Sequence, residues 1–248
     1  MIPFIFLDYD GTLTPIVKKP EKAVLSAKAR SLLAALGQKT GGRLAIVSGR
    51  SLEDVRQKVG VKGIYYFGNH GLELSGPGIR HKEFVAGVCR AMMAGISASL
   101  ERRVSKIKGS FVENKGLTIS LHYRLVKAGE VKMLVKGFFE TIAPHIDAGK
   151  IKIGRGKKVY EVKPCVSWDK GDAVQWLLRR QRTRKKLLPV YIGDDVTDED
   201  AFKALQGRGV TIRVGETGRP SYARYSLKNT RDVLKFLNYM ENYYEQQK

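Results

Sequence analysis

Long apolar runs, cysteine and histidine are all scarce in this chain of 248 residues, and each scarcity removes a class of protein. The most apolar stretch, residues 84–100, is broken by Arg90 and dotted with glycine and serine, so nothing approaches the ~20 apolar residues of a membrane-spanning helix. The two cysteines, Cys89 and Cys165, make neither a disulfide framework nor a ligand pattern and are expected as buried, reduced thiols. Four histidines without ligand spacing argue against a zinc centre. The residues ahead of Asp8 show no basic opening or cleavable apolar stretch, which predicts no secretory leader and a cytoplasmic protein. No internal repeat or low-complexity segment appears. Acidic residues are also few, 24 against 45 basic, for a net charge of +21. A field of that sign concentrates any anion without choosing among small phosphorylated molecules, RNA and membrane surfaces. Its densest run, residues 179–186, lacks interleaved aromatics and so has the phosphate half of a nucleic-acid site without the base-stacking half. It reads as a solvated helix end rather than an RNA surface.

What is present begins at the amino terminus. An apolar run over residues 3–7 ends in Asp8 and Asp10, spaced i, i+2, ahead of Gly11-Thr12-Leu13. Period-2 geometry sends both carboxylates to one side of a strand end, where a cation or a shared proton must relieve their repulsion. A second β-rich run, residues 190–192, stops at Gly193 before Asp194-Asp195-Val196-Thr197-Asp198-Glu199-Asp200. Thr197 with Asp200 reads as a capping box, and Asp198 to Asp200 as first-turn acids that suit the helix dipole. Asp194 and Asp195 precede the cap and are not explained by it. Beside Asp8 and Asp10 they complete an all-oxygen set suited to Mg²⁺.

Two further segments match phosphate chemistry. Ser48-Gly49-Arg50 lies between a strand, residues 44–47, and a helix opened by Ser51 and Asp54 as a second capping box; it reads equally as a simple turn or an anion cradle. Lys170 opens the helix that follows Ser167-Trp168-Asp169. A lysine in a first turn opposes the dipole, which favours a functional ammonium over a solvated one.

In this order, Asp-x-Asp-Gly-Thr-Leu, Ser-Gly-Arg, Lys-Gly and Gly-Asp-Asp-x-Thr-Asp-Glu-Asp resemble the haloacid dehalogenase superfamily of phosphatases. The resemblance implies an aspartyl-phosphate mechanism: Asp8 as nucleophile, Asp10 as general acid and base, Asp194 as metal ligand with the Asp8 side chain and the Asp10 carbonyl, and Ser48, Gly49 and Lys170 on the phosphate. Asp195 and Asp198 would support the metal from behind. Asp8 to Ile16, Gly68-Asn69-His70-Gly71-Leu72-Glu73 and Gly193 to Phe202 are similar to trehalose-6-phosphate phosphatases in particular, as are Val112 to Lys115, His122-Tyr123-Arg124 and residues 157–164. That similarity implies sugar contacts from Arg50, Asn69, His70, Glu113, Lys115, Arg124, Lys157 and Glu161, and admits functional pairing with a trehalose-phosphate synthase. On spacing alone, Glu113 with Lys115 and Lys157 with Glu161 share strand faces and read equally as surface ion pairs. The lysine motif reads Trp-Asp-Lys-Gly where the family commonly has Asn-Lys-Gly.

Strand and helix patterns alternate to about residue 74 and again from Lys170, which argues an α/β core: a Rossmann-like parallel sheet covered by helices on both faces. The helix from Ala27 is expected to stop at Gly37, and the final helix buries Val233, Leu237, Met240 and Tyr244. Between them the pattern gives two helices, the first from about Glu83, on a four-stranded antiparallel sheet. The expected division is a core of residues 1–75 and 165–248 with a substrate-specificity cap of residues 76–164, hinged near Gly76 to Gly78 and Pro164, whose closure excludes water. The leading function is Mg²⁺-dependent hydrolysis of trehalose 6-phosphate. The alternatives are a phosphatase of sucrose phosphate or mannosylglycerate phosphate type, and a non-catalytic basic binding protein, against which intact Asp8, Asp10, Lys170 and Asp194 argue.

Overall fold

The first strand, β1 (Ile2–Leu7), is apolar along its buried length, and alternation sends Phe4 and Phe6 to one face and Ile5 and Leu7 to the other. A strand patterned this way must be covered on both sides. The computed structural model describes residues 1–17, 20–85, 87–104, 106–156, 158–215, 218 and 220–245, and it sets β1 inside an eight-stranded sheet. The order is β12 (Tyr225–Leu227), β11 (Val210–Val214), β10 (Leu187–Gly193), β1, β2 (Leu44–Val47), β3 (Tyr65–Gly68), β4 (Glu73–Gly76) and β5 (Ile79–Glu83). The strands from β12 to β3 are parallel, and β4 and β5 are antiparallel.

Helices α1 (Ala27–Lys39), α2 (Leu52–Val59) and α7 (Thr230–Glu245) cover one face: Leu33, Leu36, Val55, Val59, Val233 and Leu237 pack with Ile5, Leu7 and Ile46. Met240 and Tyr244 join the same cluster, as the stripe on the last helix predicts. On the other face α5 (Lys170–Arg180) and α6 (Asp198–Ala204) bring Val174, Leu177 and Phe202 against Phe4, Phe6 and Val47. Each large side chain so buried contributes about 1.5–3 kcal/mol. Aligned parallel strands leave Asp8, Ser48, Asn69 and Asp194 just past the carboxyl ends of β1, β2, β3 and β10. The chain passes to opposite sides of β1 here, which is where open α/β sheets bind ligands.

Three local expectations change. α1 does not stop at Gly37 but continues to Lys39. Gly37 is buried, and a Cβ there would lie 2.8 Å from Ile64 Cγ2, so the glycine serves close packing and not termination. The segment at residues 76–78 is no hinge: it turns β4 into β5, which pairs Glu73 with Glu83 and Gly76 with Ile79. The chain therefore divides into Met1–Phe84 with Trp168–Lys248, and Val85–Ser167, and Pro164 is the last residue of a strand inside the second unit. β5 escapes detection because Arg80, His81 and Lys82 carry no apolar alternation. Charge suits an edge strand, where it discourages pairing with another chain. The first helix of the insert accordingly begins at Gly87 and not at Glu83.

In the second unit, β6 (Phe111–Asn114), β7 (Ile119–His122), β9 (Val159–Pro164) and β8 (Ile151–Gly156) form an antiparallel sheet in that order. Helices α3 (Gly87–Val104) and α4 (Ala128–Asp147) supply Ile96, Leu100, Leu134 and Phe138 to a core with Ile119, Leu121, Tyr160 and Val162. Alternation turns Glu113, Ser120 and Glu161, which stand opposite one another across three strands, to the other face. Both cysteines are free, but Cys165 is exposed and Cys89 only partly buried, so the expectation of burial fails. Among the described residues no helix is long and apolar enough to cross a membrane.

Candidate active site

Lys170 is the first residue of α5, whose N-cap Asp169 and Asp172 form a reciprocal capping box. That cap fixes the helix start, and the Lys170 side chain, 2% exposed, reaches inward to two carboxylates. Its Nζ donates to Asp8 Oδ1 at 2.9 Å and to Asp198 Oδ1 at 2.7 Å. Asp198 is wholly buried and accepts two more hydrogen bonds, from the Tyr191 hydroxyl at 2.7 Å and, through Oδ2, from the Asp195 amide at 2.9 Å. Asp198 is therefore a central member of the site and not a first-turn acid serving the dipole. The Thr197 capping box is also absent: Thr197 has helical backbone angles and its side chain makes no capping bond. The Asp198 carboxylate has closed the preceding turn on itself instead.

Asp194 completes the group. Carboxylate oxygens of Asp8, Asp194 and Asp198 lie within 4.8 Å of one another, an all-oxygen set that fits a divalent cation. The Asp10 side chain is directed elsewhere. Gly11, at φ +88°, lets the backbone press against Asp194, since a Cβ there would lie 2.1 Å from its Oδ2, and the Thr12 hydroxyl reaches Asp194 Oδ1 at 3.4 Å. Burial pushes the Asp8 carboxyl well above the usual carboxylate range; Lys170 opposes this, while Asp198 and Asp194 add to it. Burial works against the Lys170 ammonium, but Asp198 and Asp8 outweigh it and hold the lysine well above its ordinary value. Three acids against one lysine leave an excess of negative charge, which a cation neutralises.

Arg50 stands on the other side of Asp10. Its Nε and Nη2 grip the two Asp10 oxygens at 2.6 and 2.7 Å, while Nη1 bonds Asp54 at 2.6 Å and Nη2 also reaches the Pro20 carbonyl. Such a fork fixes a carboxylate's orientation as a lysine would not. Arg50 is 6% exposed, and all three of its guanidinium nitrogens are engaged, two of them on Asp10. Ser48 is buried, and its hydroxyl accepts the Arg50 amide. The Ser51 hydroxyl caps α2 through the Asp54 amide, as the spacing predicts. Gly49 lies beneath the His70 ring, where a Cβ would come within 2.6 Å of Cε1. Asn69 and His70 both adopt the left-handed region, at φ 49° and 58°. Each costs about 1–2 kcal/mol for a residue with a side chain. Asn69 is held there by Glu73, whose Oε2 accepts its amide at 2.5 Å.

The second unit carries a separate polar cluster. Lys115 bonds Glu161 at 3.0 Å, Lys163 bonds Glu161 at 3.0 Å, and His122 meets Glu113 at 2.8 Å. Arg124 follows β7, half-buried. Lys157 lies outside the described residues. The sequence reading misses Tyr191, Asp54 and Glu73 as supports of this chemistry. Of these only Asp54 leaves a signal, its i, i+4 spacing from Arg50.

A parallel sheet with acids at the carboxyl end of β1 and an inserted α+β unit defines a haloacid-dehalogenase-like hydrolase fold, and such a hydrolase from Bacteroides thetaiotaomicron superposes with a TM-score of 0.65 at 16% identity, covering 95% of this chain and 98% of that one. A crystal structure described as a trehalose-6-phosphate phosphatase related protein superposes at 0.83, with 27% identity over 98% of this chain and 99% of that one. The trehalose-phosphatase family profile matches residues 6–231, and the chain belongs to that family. It is 37% identical over 246 residues to trehalose-phosphate phosphatase B of Arabidopsis thaliana, a match covering 94% of this chain. The chain spans 64% of the length of that relative.

Proposed function

We propose that the chain is a Mg²⁺-dependent phosphatase that hydrolyses trehalose 6-phosphate to trehalose and phosphate through an aspartyl-phosphate intermediate. The observation that carries this reading is Lys170 bonded to both Asp8 and Asp198 with Asp194 alongside. An Asp8 oxygen attacks phosphorus, the bond from phosphorus to the sugar oxygen breaks, and Asp10 protonates the departing alkoxide. Water then attacks phosphorus, gives its proton to Asp10, and the bond to Asp8 breaks to release phosphate. Asp8, Asp194 and Asp198 would hold Mg²⁺, which when bound neutralises negative charge on phosphate and carboxylates. Lys170 balances charge on the transferring group, and Ser48 with the amides about Gly49 binds its oxygens. Arg50 keeps Asp10 aimed, releasing one of its two oxygens to carry the proton.

Substrate choice is assigned to Glu113, Lys115, Arg124, Lys157 and Glu161. Alternating carboxylates and cations suit sugar hydroxyls, and a site built so discriminates strongly because an unmatched substrate leaves its polar groups unpaired. The names of the relatives support the disaccharide, and the family supports a cytoplasmic setting and pairing with a synthase. Phosphate release from a panel of sugar phosphates, with Mg²⁺ and with chelator, tests the reading. Trehalose 6-phosphate should lead the panel and chelator should abolish turnover. Preference for sucrose phosphate or mannosylglycerate phosphate would overturn the substrate, and full activity in excess chelator the mechanism.

A further inference from the structure

At the end of the core sheet opposite the active site lies an open cavity of about 1040 Å³, walled by the first residues of β10 and β11, the last turns of α5 and α6, and residues 221–224. β10 runs for seven residues from this cavity to Gly193, so the carboxylates stand about 20 Å away. Nothing in the phosphatase reading uses this cavity, and it gathers part of the basic run that the chemistry leaves unexplained.

Five cations reach its wall: Arg179, Lys185, Lys186, Arg208 and Arg224. Among the described lining residues there is no aspartate or glutamate, and the acid beside them, Glu199, is engaged by the Ser221 hydroxyl and the Tyr222 amide. Arg179 donates to Gln175 Oε1 and Arg224 lies over the Tyr225 ring, both neutral partners. Cations that line one cavity repel one another and favour an anion among them. The lining is otherwise mixed: Leu178, Leu187, Pro189, Leu205 and Val210 make an apolar strip beside the polar Gln175, Gln181, Gln206 and Thr211, and the half-exposed Tyr222 ring stands at its edge with Lys203 Nζ 5.7 Å from its centroid. Bare phosphate would leave that surface wet. The concavity has the volume of a small-ligand site and a stacking surface for one ring, where a nucleic-acid strand needs an extended platform.

We propose that this cavity binds a small organic polyphosphate of the nucleoside di- or triphosphate class, its phosphates on the lysine and arginine wall and its ring against the apolar lining and Tyr222. The assignment stands apart from the proposed phosphatase activity and does not fall with it.

Titration calorimetry on the full chain, with ATP, inorganic tripolyphosphate and a short single-stranded RNA as probes, tests it. ATP should bind saturably with a dissociation constant below about 100 μM, and K186E together with R208E should weaken it by about tenfold or more. The double variant should keep wild-type turnover of sugar phosphate. Lys186→Gln alone, which adds no negative charge, should still weaken ATP binding and replaces the double variant if that fails to fold. Tripolyphosphate should bind more weakly than ATP. Absence of ATP binding, binding that survives both substitutions, or tripolyphosphate as good as ATP would overturn the proposal. RNA binding tighter than ATP and not displaced by it would overturn it in favour of a nucleic-acid surface.

Discussion

Replacing Asp198 by asparagine removes one negative charge from beside a buried ammonium and changes little else in shape. In the native protein Lys170 divides its charge between Asp198 at 2.7 Å and Asp8 at 2.9 Å, all three side chains being almost fully buried. Losing one charge-assisted hydrogen bond of this kind costs about 1.5–3 kcal/mol. For a chain of this length that is a fall of roughly 3–12 °C in melting temperature. The effect on turnover is larger than stability alone gives, because Lys170 would be drawn toward Asp8 and away from the phosphate. A displacement of about 1 Å costs on the order of 10²-fold in rate. Tyr191→Phe, which removes only the hydroxyl bonded to Asp198, should cost about 1 kcal/mol and less than tenfold in kcat. Glu199→Gln is the control: Glu199 accepts from the Ser221 hydroxyl and the Tyr222 amide at the surface, and its loss should leave turnover near wild type. Thermal melts and steady-state phosphate release on the three variants read this directly. An Asp198→Asn protein with wild-type melting and turnover would refute the role given to Asp198, and equal damage from Glu199→Gln would show that any change at this helix start does the same.

Three other outcomes follow from the same geometry. Burial raises the Asp8 carboxyl in the folded chain, so its contribution is present below the unfolded carboxylate range and is lost as pH rises through the folded value. Asp8→Asn should therefore melt above the wild type at pH 7 in chelator, with the gap closing toward about pH 4; melts across that range check it, and a constant gap contradicts it. Arg50→Lys should lower kcat by about tenfold or more with little change in KM, since a single ammonium cannot reproduce the fork on Asp10; a pure KM effect in steady-state kinetics would return Arg50 to the substrate. Glu161→Ala, which strips Lys115 and Lys163 of a shared partner, should cut kcat/KM for trehalose 6-phosphate by roughly tenfold while a small aryl phosphate is turned over as before; equal loss on both would remove the specificity assignment.

Where the sequence alone suffices, one physical rule dominates locally. Continuous apolar runs in β1 and β2 require cover on both faces, and the bounds of β11 and the stripe on α7 follow from period alone. Where it fails, two rules compete and a distant residue decides. Asp198 after Thr197 has every mark of a capped helix start, and only Lys170 and Tyr191, brought from another helix and strand, turn its carboxylate inward. Gly37 looks like a stop until Ile64 occupies the space a side chain would take. β5 lacks periodicity because an edge strand is better charged than apolar. The cluster of Asp8, Lys170 and Asp194 is legible because a lysine against its helix dipole and uncapped acids at strand ends have no cheap structural explanation. The Arg50 fork on Asp10 is not legible, since spacing does not reveal where a guanidinium closes.

The central claim is that Asp8 takes the phosphoryl group, and chemical trapping tests it most directly. Enzyme quenched during turnover of trehalose 6-phosphate with Mg²⁺, reduced with borohydride and digested, should show homoserine at position 8, the product of reducing an aspartyl phosphate, and Asp8→Asn should show neither the modification nor turnover. Modification at another carboxylate, or substantial Mg²⁺-dependent turnover by pure Asp8→Asn protein, would contradict the account.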